Sequence, residues 1–82
     1  MGLNFKLYSR QAVSVAGKTF VVSIEEAGGL YRAQTQVKWK NPAMQGFPLA
    51  TNAFKDAQSA VKQITVELER LLKGGEIQGR SY

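Results

Sequence analysis

The chain contains no cysteine and no histidine. Disulfides, thiolate zinc sites, imidazole general bases and the commonest metal ligands are therefore excluded, and most hydrolytic and redox mechanisms go with them. No apolar run approaches the roughly 18 residues that span a bilayer. The opening Met-Gly-Leu-Asn-Phe-Lys-Leu lacks the apolar core of a signal peptide, and Lys6 stands where a myristoylation motif wants Ser or Thr. These absences lead to the expectation of a soluble, cytoplasmic protein with no membrane partner, no metal and no cofactor. Acidic residues are also scarce, 6 against 11 Lys and Arg, for a net charge of +5. Between Ala27 and Lys55 there are none, while Arg32, Lys38, Lys40 and Lys55 fall there. A basic balance of this kind attracts phosphate backbones, anionic surfaces or acidic proteins without choosing among them.

What is present is one long periodic segment, Phe54 to Lys73. Ala57, Ala60, Val61, Ile64, Leu68, Leu71 and Leu72 recur at steps of three and four, which places them on one helical face. Asp56 is positioned to cap the first turn, and Gly74-Gly75 to end the last. If the helix starts earlier, at Thr51 or Asn52, Phe54 still joins the apolar stripe.

The segments before it read as strands. Leu3, Phe5 and Leu7 alternate with Asn4, Lys6 and Tyr8, and Val13 and Val15 keep the same odd parity; where Ser9, Arg10 and Gln11 interrupt the series, either one strand bends or bulges or two short strands meet. Ala16-Gly17 and Ala27-Gly28-Gly29 predict hairpin turns on either side of a strand over Lys18–Glu26. A third strand runs from Tyr31 to Lys40, with Tyr31, Ala33, Thr35, Val37 and Trp39 facing a core. Asn41 to Gly46 is a loop. Phe47 to Phe54 is either a short fourth edge strand or an irregular crossing to the helix. The fold expected is α+β: a three- or four-stranded antiparallel meander with one C-terminal helix on one face. Residues 1–75 form the domain, and 76–82 a flexible tail.

The carboxylates do not make an enzyme. Glu25 and Glu26 are adjacent on a strand and point to opposite faces, and Glu67 and Glu69 diverge around the helix, where Arg70 and Lys73 are their natural partners. No spaced glycine run follows a strand and opens a helix. The outward row of the third strand, Arg32, Gln34, Gln36, Lys38 and Lys40, offers a nucleic-acid platform, cations for phosphates and amides for base edges. Lys6, Tyr8 and Arg10 extend it if the first strand turns its even positions the same way, with Tyr8 available for base stacking. Polar outward residues are also what any antiparallel sheet shows to water. The rival expectation is a protein-interaction module, a homodimer or an adaptor, using the open face or a free strand edge. Val21 and Val66, apolar at outward positions, are compatible with a dimer contact.

The order of strands, loop and helix, with the helix announced by Phe54-Lys-Asp-Ala-Gln-Ser-Ala60, resembles three groups over about residues 17 to 72. These are the arm-binding domains of tyrosine recombinases, the partner-binding domains of HicB-type antitoxins, and a loose group of small single-domain bacterial proteins that share an opening like Gly17-Lys-Thr-Phe20. The first resemblance implies DNA contact through the sheet, the second a protein partner, and the third no particular activity. Recombinase arm domains carry a denser basic and aromatic sheet than the Gln-interleaved row here, and HicB-type proteins usually add a DNA-binding segment that these residues do not show.

Overall fold

A computed structural model describes residues 4–79. In chain order these form β1 (Lys6–Val15), β2 (Lys18–Ala27), β3 (Leu30–Thr35), a 3-10 turn at Pro42–Met44, β4 (Leu49–Ala50) and α1 (Ala57–Lys73). The four strands lie in the order β1-β2-β3-β4, every neighbouring pair antiparallel. The fold is thus the α+β meander that the alternation predicts, and the Phe47 to Phe54 stretch contributes the short fourth strand.

Two tight turns set the register. Val15 pairs with Lys18 and Ala27 with Leu30, so each hairpin closes over two residues. In the first, Ala16 and Gly17 both have positive φ, 50° and 77°, the geometry whose twist matches a two-residue hairpin. An L-residue is strained there, and Ala16 is the one non-glycine with positive φ among the described residues. Ala16→Gly should therefore raise stability by about 1 kcal/mol, read as a melting temperature about 4–8 °C higher. A variant melting with or below its parent would mean the turn takes another form.

Asp56 caps α1: its backbone is extended and its carboxylate accepts the Ser59 amide at 2.7 Å. At the other end the Gly74 amide returns to the Arg70 carbonyl, and the Glu76 amide to that of Leu71, with Gly75 at φ 71° making the reversal. The helix buries Ala60, Ile64, Leu68 and Leu71 against one sheet face and lies chiefly over β3. At one end of the interface Ala60 and Ala33 pack with Val22, Ile24 and Ile64; at the other, Phe20, Val37, Leu68 and Leu71 pack with Val15 and Ile77.

Two expectations are corrected. Residues 76–79 are not a loose tail: Ile77 is 3% exposed within the second cluster, and the segment pairs with the chain beyond β3. Lys38 and Gly79, Gln78 and Lys38, and Lys40 and Glu76 share backbone bonds of 2.7–3.0 Å. The third strand correspondingly leaves β2 after Thr35, whose hydroxyl donates to the Val21 carbonyl at 2.8 Å, and its continuation joins this strap instead. Leu3 and residues 80–82, which the alternation and the expected tail also covered, lie outside the described residues.

Candidate interaction surface

The sheet face away from α1 is built of cross-strand rows: Leu7, Glu25 and Arg32; then Arg10, Ser23, Gln34 and Ala50; then Ala12 and Val21; then Ser14 and Thr19. Its charged residues are Arg10, Arg32 and Glu25, two cations against one carboxylate. Glu25 accepts from Arg32 Nε at 2.7 Å and from Gln34 Nε2 at 3.2 Å, so two residues of the expected basic row are already bonded within the fold. The Arg32 guanidinium also lies over the Phe5 ring, 4.1 Å from its centroid, a cation–π arrangement.

The bulge in β1 decides the rest. Leu7 pairs with Glu25 but Ser9 with Ile24, leaving Tyr8 as the extra residue. One inserted residue reverses which side chains face outward on either side of it. Leu7 therefore lands on the open face, 52% exposed, while Lys6, opposite Glu26, takes the helix side. Tyr8 sets its ring edge-on to Tyr31, centroids 5.1 Å apart, at the margin of the core. Of Lys6, Tyr8 and Arg10, the structure brings Arg10 alone to the outer face.

The far end of the expected row is dispersed as well. Gln36 and Lys38 are exposed beyond the point where β3 leaves the sheet. Lys40 turns to the helix C-terminus, its Nζ 3.6 Å from where a Cβ on Gly75 would stand, an end where cations are favoured. Trp39 keeps its expected inward side and donates its indole N–H to the Phe47 carbonyl at 2.8 Å.

The strand edges differ sharply. Along β3 the side away from β2 is closed: Tyr31 and Phe54 exchange two backbone bonds of 2.7 Å, the Thr51 amide reaches the Ala33 carbonyl, and Thr51 Oγ1 accepts the Ala33 amide. β1 has β2 as its one neighbour, and among the described residues no backbone bond reaches its other side. That edge is ten residues long, with Lys6, Leu7, Tyr8, Arg10, Gln11, Ala12 and Ser14 exposed.

Every carboxylate side chain has a partner. Besides Glu25, Glu26 accepts the Gly29 amide, Asp56 caps the helix, Glu67 and Glu76 pair with Arg70, and Glu69 with Lys73. The hydrogen bond that Arg70 donates to Glu67, with the charge of that carboxylate, holds the Arg70 guanidinium above its ordinary pKa. Two shallow depressions open near the helix C-terminus. One, of about 420 Å³, is lined by Lys18, Lys40, Leu72 and Ile77; the other, of about 440 Å³, by Trp39, Met44 and Glu76. Neither brings two carboxylates together. Among the described residues no cluster of three potential metal ligands occurs, and no helix is long and apolar enough to cross a membrane.

Comparison with protein-family models, with curated proteins and with solved structures yields no match to this chain. The feature that residue-by-residue patterning left unplaced is which edge stays open, because that depends on strand order. Glu25 as the occupant of Arg32 was within reach, since both stand three residues outside the Gly28-Gly29 turn and so face each other in a two-residue hairpin.

Proposed function

We propose that the chain is a non-enzymatic binding domain whose partner is another protein, received along the open edge of β1. One observation carries this reading: the ten-residue strand has backbone donors and acceptors on its outer side that the described fold does not pair. Such an edge templates an added strand, and is blunted by shortness, cover, proline, bulges or edge charges. β1 is long and holds no proline, and its one irregularity is the bulge at Tyr8. Leu7 and Val21, exposed on the adjoining face, extend the surface a partner can cover.

DNA or RNA binding is the second reading, favoured by the net charge of +5 and by Arg10 and Lys38, which are exposed and have no carboxylate within salt-bridge distance among the described residues. The two readings separate on salt. Fluorescence anisotropy of labelled single-stranded and duplex oligonucleotides from about 50 to 200 mM salt reports phosphate contacts directly. The expected result is no steeply salt-dependent binding tighter than about micromolar, the weak range of non-specific contacts. Tighter binding with a steep slope, reduced in a protein carrying Arg32→Ala and Lys38→Ala, would replace the protein-partner reading with the nucleic-acid one.

A further inference from the structure

We infer that the segment added at β1 is acidic: an extended stretch of another protein, rich in Asp and Glu, lying beside Lys6–Val15 as a fifth strand. This rests on the reading of β1 as the interaction edge and adds the chemistry of its occupant.

Along β1 and the first part of β2 the charge has one sign. From Asn4 to Ile24 the chain holds Lys6, Arg10 and Lys18 and no carboxylate. The two nearest carboxylates, opposite β1 in register, are turned to other partners: Glu25, across from Leu7, holds Arg32 and Gln34, and Glu26, across from Lys6, holds the Gly29 amide. Neither Lys6 nor Arg10 has a carboxylate within salt-bridge distance among the described residues. Because the bulge lies between them, Lys6 projects on the helix side of the edge and Arg10 on the open side. An incoming strand therefore meets a cation on each of its faces, at the cross-strand spacing where opposite charges attract and like charges repel.

That sign selects among occupants. A second copy of this chain offers the same strand, with the same Lys6 and Arg10 and nothing negative to set against them. Edge cations are a recognised device against self-pairing, and here they leave the backbone open to a strand of opposite charge. Leu7 and Tyr8, both exposed at the Lys6 end, favour apolar residues interspersed among the acidic ones.

Panning a library of random nonapeptides displayed on phage against the immobilised domain tests this. Recovered peptides should be enriched several-fold in Asp and Glu and depleted in Lys and Arg, and a bound synthetic copy should slow amide exchange across Lys6–Val15. A protein carrying Lys6→Glu and Arg10→Glu, both at exposed positions, should select Lys and Arg instead. If the peptides protect β1 but show no charge bias, the acidic occupant is wrong and the edge reading stands. If no peptide is recovered, or the recovered ones protect other residues, both are wrong. Protection of β1 that grows with protein concentration alone, with a dimer mass in sedimentation, would make a second copy the occupant and overturn the inference.

Discussion

Phe20→Ala is expected to lower the unfolding free energy by about 3–5 kcal/mol, the range for a fully buried aromatic cut to alanine. Phe20 has no exposed surface and packs in the cluster of Val15, Val37, Leu68, Leu71 and Ile77, so its removal opens a cavity that β1, the helix and the strap all line. Collapse around it is hindered because those neighbours come from four different stretches of chain. A domain of this size is stabilised by some 4–12 kcal/mol in total, at 0.05–0.15 kcal/mol per residue, so the loss takes much of what there is. Urea denaturation should show the midpoint displaced strongly toward low denaturant. Val21→Ala, one residue on but 48% exposed on the opposite face, should cost no more than about 0.5 kcal/mol. Equal midpoints for the two variants would mean that β2 presents the other face to the helix.

The contrast between those adjacent residues was legible because β2 alternates without interruption, and α1 was legible because Ala60, Ile64, Leu68 and Leu71 repeat at helical spacing and Asp56 announces the first turn. Both signals are local and periodic. β1 was misread on its first half for a physical reason: the interruption from Ser9 signals a bulge, but a bulge adds one residue and reverses parity, so one odd-numbered face could not run through it. Ser9, polar, is consequently drawn to the half-buried side while Leu7 is exposed. The expected basic row failed to assemble for two further reasons. Glu25 answers Arg32 across a hairpin whose two-residue turn could be counted from Gly28-Gly29. The departure of Gln36 to Lys40 from the sheet could not be counted, since their partners lie some forty positions away with no turn to fix the register.

Those distant partners have a large expected effect of their own. Deleting residues 76–82 should leave a protein folded only marginally, although the alternation alone would treat this segment as dispensable. Ile77 is buried against the same cluster as Phe20, and truncating a buried Ile to Ala costs about 2–5 kcal/mol. The deletion also removes the backbone partners of Lys38 and Lys40, each bond contributing about 0.5–1.5 kcal/mol net. Ile77→Ala isolates the first contribution, and Ile77→Val, which keeps most of the side chain, should cost only about 0.5–1.5 kcal/mol. Thermal melts of the three variants should fall in the order Val, Ala, deletion, with about 4–8 °C lost per kcal/mol. A deletion that melts with its parent would show the strap to be peripheral and the 3% exposure of Ile77 to be irrelevant to folding. Ile77 shares its cluster with Val15, the last residue of β1, so loosening the strap frees one end of the edge strand. In Ile77→Ala, amide exchange at the Val15 end should quicken before the rest of β1 opens, because the cavity lies at that end.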